Sequence, residues 1–260
     1  MLFTSYEFIG FLALLFLLYY LIPKRGQWML LLGASYVFYA LASPSYLIFI
    51  GFTTLTTFLC GIVMGRISAS EKAYLAGEGA SFGKEERKAY RAKRKKQRLW
   101  ILLCGVVLNF GVLAVLKYTG FAIVSVNEML HLFGGEHRLE IPDLILPMGI
   151  SFYTFQSMGY LMDVYRAKAE PEHNVARFAL FVSFFPQLIQ GPISRFGDLA
   201  PQLFEAHKAD RRHITYGLQR ILWGYFKKLV IADRIMVAVN LLMEDTSTYT
   251  GSYVFLLLIF

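Results

Sequence analysis

Four apolar stretches, each of fifteen residues or more and free of lysine, arginine, aspartate and glutamate, set the pattern of this chain. They are FIGFLALLFLLYYLI (8–22), WMLLLGASYVFYALA (28–42), YLIFIGFTTLTTFLCGIVMG (46–65) and LWILLCGVVLNFGVLAVL (99–116). At about 1.5 Å per helical residue, 18 to 20 residues cross the roughly 30 Å hydrocarbon core of a bilayer. Only 17% of the chain is charged, against about 25% in an ordinary soluble domain. Segmented apolar character of this kind predicts an all-α, polytopic transmembrane helical bundle rather than the buried helices of a soluble core.

No lysine or arginine precedes the first run, which ends in IPKRGQW rather than in small residues. A cleaved signal peptide is not expected, and 8–22 reads as a retained span. Cys60 and Cys104 lie inside apolar spans, as small buried side chains without a disulfide framework or metal-ligand spacing. No metal site is expected.

The net charge of +8 belongs almost wholly to one place. Between residues 66 and 98 there are 11 basic and 4 acidic residues, with KEERKAYRAKRKKQR (84–98) directly before a span. A basic block beside a membrane segment marks a cytoplasmic loop attracted to anionic lipid, not a nucleic-acid site. The third span then runs inward, ASPS (42–45) lies outside, and Lys24 and Arg25 lie inside, which puts the amino terminus outside. The two basic clusters agree on this orientation.

Span 99–116 leads outward. Segment 118–133 carries Asn127, Glu128 and His131 and reads as an outer-face or interfacial helix. LILPMGISFYTFQSMGYLMDVYR (144–166) crosses inward with a polar interior of Ser151, Tyr153, Thr154, Gln156 and Ser157, residues that face partner helices or a wet cavity. In 214–243, Arg220, Lys227, Lys228 and Arg234 fall on one helical stripe with Leu222, Phe226 and Leu229 roughly opposite. That pattern describes an amphipathic helix in the cytoplasmic interface; it also describes a basic stripe meeting an anionic donor, and spacing does not separate the two. GSYVFLLLIF (251–260) opens another apolar run and spans barely half a membrane. The expectation is a single integral membrane domain, 1–260, truncated at its carboxyl end.

The stretch SFFPQLIQGPISRF (183–196) breaks the pattern. Pro186 removes a backbone donor, and the Gly191-Pro192 pair ends regular helix. Only 13 apolar residues, 178–190, precede that stop. Carbonyls released at membrane depth must be satisfied by protein or water, as in re-entrant loops. A re-entrant loop from the cytoplasm is expected, with a proline-kinked span as the plainer reading.

The run SFFPQLIQGPISRFGDLAPQL (183–203) resembles the core of the membrane-bound O-acyltransferase superfamily. The group it is most similar to is the bacterial alginate O-acetyltransferase-like proteins. The amino-terminal MLFTSYEFIGFLALLFLLYYLIPKR and LLLGASYVFYA, LPMGISFYTFQSMGYLMDVYR (146–166) and GYFKKLVIADR (224–234) carry the same resemblance in the same order. It implies an incomplete fold of that superfamily, with re-entrant and interfacial helices, in the bacterial inner membrane. The implied activity is transfer of an acetyl group from acetyl-coenzyme A or another acyl thioester to hydroxyls of an extracytoplasmic, alginate-like polysaccharide. Implied partners are the lipid bilayer, the polysaccharide and envelope acetylation proteins, with no nucleic acid and no bound cofactor. Tyr153, Gln156, Gln187, Gln190, Ser194 and Arg195 become candidates for lining the passage, with packing or capping as the plainer role of each. Arg220, Lys227, Lys228 and Arg234 become a donor-side basic stripe.

The family's catalytic histidine lies in an apolar helix toward the carboxyl end, and none of the five histidines here fits it. His137, His173, His207 and His213 lie in polar stretches, and His131 lies in MLHLF, a segment the family does not use for catalysis. The catalytic residue is expected beyond residue 260, and the chain alone is expected to be inactive. Two other classes remain: a non-catalytic scaffold of an envelope-assembly complex, and a transporter of sugar or lipid-linked sugar, against which no internal inverted repeat is found.

Overall fold

The computed structural model of the chain describes residues 3–133, 139–189, 191–244, 251 and 255. Every regular element among them is helical, and the chain divides into two compact units. The larger comprises Leu15–Ala206; the smaller joins Leu2–Leu14 to His207–Phe260. The first helix, α1 (Tyr6–Leu21), contributes residues to both.

The larger unit is built on α2 (Gln27–Ala42), α3 (Tyr46–Ala76), α4 (Lys84–Leu132) and α5 (Ile150–Tyr165). Helices α3 and α4 are long and apolar enough to cross a membrane. They run antiparallel, as three levels of contact show. Arg98 bonds Ser68 (2.7 Å) and pairs with Glu71 (3.4 Å). Gly105 sits against Cys60, and Asn109 Nδ2 donates to Thr56 Oγ1 (3.2 Å) and to Gly105 O (2.8 Å). Helix α5 fits into the groove between them because glycine faces it on both sides. A Cβ at Gly61 would lie 2.9 Å from Tyr160 Oη, and one at Gly105 would lie 2.8 Å from Leu161 Cδ1. Small residues that let backbones approach are how helices associate where water supplies no driving force.

Leu55, Leu59, Val107 and Val115 are exposed on α3 and α4, whereas Ser35, Thr57, Asn109, Gln156 and Ser157 are buried. Outward-facing apolar side chains on helices of this length, with some polar ones buried within the apolar core, fit a membrane helical protein.

Two expectations change here. The basic stretch 66–98 is largely helix: α3 continues to Ala76, and α4 begins at Lys84, where Glu86 Oε2 accepts from Gly83 N (3.0 Å). Nor is 118–133 a separate interfacial helix. It is the far end of α4, which runs unbroken for 49 residues, since this stretch has no proline and only Gly120 to weaken it.

In the smaller unit, α9 (Arg211–Phe226) passes through a π-helical stretch at Lys227–Ala232 into α10 (Asp233–Glu244). Tyr225 Oη donates to Phe3 O (2.6 Å). Between α5 and α9 come three short helices: α6 (Val175–Ser183), α7 (Phe185–Leu188) and α8 (Phe196–Phe204).

Candidate functional site

The broken segment is a hairpin of the larger unit whose outgoing limb is buried. Asn174 caps α6, its Oδ1 accepting from Ala176 N (2.9 Å) and Arg177 N (3.3 Å). From Phe178 to Ser183 every residue is buried. The helix ends at Phe184, two residues before Pro186, where the missing donor and the restriction on the preceding residue predict a break. The chain restarts as α7 and turns at Gly191, whose N–H donates to Gln187 O (2.9 Å), while Gln187 Nε2 donates to Pro192 O. It then returns as α8. Phe196 meets Tyr160, Phe178 and Phe181 at ring separations of 5.0 to 6.4 Å. At the open end Arg177 lies over both Trp28 and Phe204, 5.7 and 5.4 Å from the ring centroids. Outgoing and returning limbs therefore start and finish at one level.

The break leaves polar backbone groups that neighbouring helices take up. In a continuous helix Phe185 N–H would bond Phe181 O. Here Phe185 N donates to Ser35 Oγ of α2 (3.3 Å), and Phe181 O accepts from Gln156 Nε2 of α5 (3.0 Å). One side chain replaces each half of the lost bond, both in buried surroundings. A third contact closes the site from below. Tyr39 Oη of α2 donates to Met148 O (2.5 Å), just before Gly149, which begins α5 at φ 75°. A Cβ on Gly149 would lie 2.5 Å from Leu188 O.

These contacts locate each residue singled out from the sequence. Tyr153, Gln156 and Gln187 are buried, and Gln156 and Gln187 lie at the break. Gln156 and Gln187 bond backbone carbonyls there, the capping role. Ser194 is half-buried and Arg195 exposed on the extended return limb; Gln190 lies outside the described residues. Ser35, Tyr39 and Gly149 escaped the sequence reading. The available signal was a lone serine in an apolar helix and a glycine after the Pro147-Met148 pair.

The hydroxyls of Tyr153, Ser157, Thr54, Thr57 and Ser183 are buried with no hydrogen-bond partner among the described residues. Removing such a hydroxyl leaves no new orphan. Tyr153→Phe is therefore expected to hold or raise stability by up to about 1 kcal/mol, measured by thermal unfolding in detergent. A loss above about 2 kcal/mol would mean that the hydroxyl is bonded in solution.

In the smaller unit the stripe does not survive as a regular row. A π turn advances less per residue than the ~100° of an α-helix, so the stretch 227–232 rotates Arg234 away from Arg220 and Lys227. Arg220 lies over Tyr216, 4.5 Å from its centroid, and Lys228 pairs with Asp233. All four basic side chains are exposed.

Toward the end of α4, Asn127 holds residue 139 by both backbone groups: Nδ2 donates to Leu139 O (3.0 Å), and Oδ1 accepts from Leu139 N (2.8 Å). A groove of about 660 Å³ opens beside it, lined by Asn127, Glu128, His131 and Ile141 among others. His131, His173, His207 and His213 are exposed, and His137 lies outside the described residues. Among the described residues no three His, Cys, Asp or Glu side chains are grouped to hold a metal.

No family model and no solved structure matches the chain. Curated proteins do. A probable alginate O-acetylase of Pseudomonas aeruginosa is 37% identical over 237 residues, covering 90% of this chain and 40% of that protein. One from Pseudomonas putida is 34% identical over 242 residues, or 92% and 44%. A peptidoglycan O-acetyltransferase of Helicobacter pylori is 34% identical over 163 residues, or 53% and 30%. The chain thus spans less than half the length of these relatives. Its two long apolar helices, with their exposed apolar side chains, fit a membrane location. The chain is a homologue, over about nine tenths of its own length and two fifths of theirs, of proteins named probable alginate O-acetylases.

Proposed function

We propose that the chain is the part of a membrane-spanning O-acetyltransferase that frames the route from a cytoplasmic acetyl thioester to polysaccharide hydroxyls outside. The observation that carries this is identity of 34 to 37% to the alginate O-acetylases along nine tenths of its length. The chemical problem is that neither a charged thioester donor nor a charged polymer crosses hydrocarbon, so the protein must supply a walled passage.

In this reading the chain is a multi-pass protein of the bacterial cell membrane, with its amino terminus outside and 66–98 in the cytoplasm. The hairpin of α6 to α8 is re-entrant. Its support is that both limbs meet at Arg177 and Phe204, and that the segment leading into it packs Pro171 against Gly65, at the basic end of α3's apolar run. Tyr153, Gln156 and Gln187 shape the wall, with Ser194 and Arg195 at its rim; Gln190, a candidate from the sequence alone, lies outside the described residues. Arg220, Lys227 and Lys228 offer positive charge to the donor, acetyl-coenzyme A or another acyl thioester, with Arg234 displaced by the π turn. The acceptor is an alginate-like polysaccharide; peptidoglycan is the alternative that the Helicobacter relative raises. Envelope acetylation proteins act beside it.

The four described histidines are exposed, whereas a base for a hydroxyl acceptor needs a sheltered group with a pKa near neutrality. The 260 residues alone are therefore expected to give no acetylation above background. A chimera tests the reading: this chain replaces the matching 237 residues of the Pseudomonas aeruginosa alginate O-acetylase, and O-acetyl groups on secreted polymer are counted. Acetylation restored by the chimera supports the assignment. A stable, membrane-inserted chimera without acetylation supports the scaffold reading instead.

A further inference from the structure

We propose that the helical arm formed by 66–76 and 84–98 is a docking surface for the acidic face of a soluble protein, rather than an anchor on lipid head groups. The arm is a braced structure. Tyr74 of α3 stacks on Tyr90 of α4 at 4.7 Å and meets Phe82 edge-on. Arg94 donates to Tyr90 Oη through Nε (3.0 Å) and Nη2 (2.8 Å). Arg98 closes the base on Ser68 and Glu71. Four other cations, Lys84, Lys88, Arg91 and Lys95, recur at i, i+4, i+7 and i+11, so they share one helical face. All four are exposed, and none has an ion-pair partner among the described residues. Of the arm's three acids, Glu71 is taken by Arg98 and Glu86 by the Gly83 cap, which leaves the exposed Glu85 against the four cations.

Geometry separates a protein partner from lipid. Helix α4 continues without a break from the arm into the apolar run that begins at Leu99. At about 1.5 Å per residue, Lys95 stands roughly 6 Å and Lys84 roughly 22 Å beyond Leu99 along the axis. The head-group layer is only about 5–8 Å deep and its potential decays within a Debye length of about 8–10 Å, so the outer half of the stripe lies past effective attraction. The arm cannot lie down on the membrane unless α4 breaks. A row of unpaired cations about 16 Å long, held rigidly away from the bilayer, fits a soluble surface of opposite charge. Where the partner is the thioester supplier, the arm places it above the donor side.

The inference rests on α4 being a membrane span, and that premise has its own readout: amides in 99–116 should resist hydrogen exchange. The docking test uses the whole chain in phosphatidylcholine nanodiscs with a fluorescent poly-glutamate peptide as probe, at low salt. The variant K84Q/K88Q/R91Q/K95Q is expected to bind about tenfold more weakly, and K93Q/K96Q less than about threefold. Equal losses in the two variants, or no peptide binding to the unaltered chain, overturns the proposal. So does protection of Lys84, Lys88 and Lys95 from an amine-reactive label when phosphatidylglycerol is added, which assigns the stripe to the membrane. Tighter binding of a duplex RNA of matched charge than of poly-glutamate overturns it in favour of nucleic acid.

Discussion

Gly149→Val is expected to lose about 3–5 kcal/mol of stability, enough to prevent assembly of the larger unit around its hairpin. Two independent costs meet at this residue. Its φ of 75° lies in the left-handed region, where a β-branched side chain is strained. Its missing Cβ is also what lets the turn before α5 approach the end of α7, since the nearest obstacle, at 2.5 Å, is the backbone carbonyl of Leu188. That carbonyl cannot move aside cheaply, because Gln187 next to it is bonded on both sides of the turn. Gly149→Asn separates the costs. Asparagine tolerates the left-handed region, so an Asn variant that loses about 2 kcal/mol or more isolates the contact. Gly159→Ala, with open space where its Cβ would go, should hold or gain stability. Thermal unfolding in detergent reads all three. A Val variant as stable as the parent removes the proposed close approach.

How much of this was legible beforehand depended on whether the signal was local. Pro186 and the Gly191-Pro192 pair announced a break, because a missing N–H acts where it stands. The break's partners were not legible. Gln156 lies 25 residues before Phe181, and Ser35 lies 150 residues before Phe185. No local rule says which of several buried polar side chains will meet which released backbone group. The sequence did say that released carbonyls needed partners and that 144–166 was rich in polar groups. The inference left unmade was that the second fact answers the first.

Charge placement needed only counting, whereas backbone continuity was read less well. The concentration of lysine and arginine in 66–98 is a matter of counting, but treating it as a loop overlooked strong helix formers. Glu, Lys, Arg and Ala dominate 84–98, and they continue a helix whether or not lipid surrounds it. In 118–133 the fall in apolar character at Asn127, Glu128 and His131 suggested a new element. Polarity reports the medium around a helix, whereas only proline, glycine or a competing cap reports its end. The π stretch at Lys227–Ala232 left no compositional mark, since one wider turn changes phase without changing residue type.

Gln156→Leu is expected to cost about 2–3 kcal/mol, although leucine is apolar, similar in size and placed in an apolar setting. The reason is asymmetry. The leucine strands Phe181 O, a buried acceptor that α6 cannot satisfy because Phe185 N–H has turned to Ser35. Ser35→Ala strands the other half of the same lost bond and is expected to cost about 1–2 kcal/mol. Both serve one break, so the double variant should depart from additivity by about 0.5 kcal/mol or more, as groups in one network do. Gln156→Glu sharpens the test, since an ionised carboxylate has nothing to donate and faces a carbonyl oxygen; it should be worse than leucine. The same substitutions distinguish a brace from a passage lining. A brace lowers unfolding temperature in step with any loss of acetylation by the chimera, because the hairpin itself loosens. A lining residue lowers acetylation while unfolding stays unchanged. The bond to Phe181 O predicts the first outcome at Gln156. Tyr153 has no bond to lose among the described residues, so any effect of Tyr153→Phe on acetylation without an effect on unfolding would assign the passage to that side of α5.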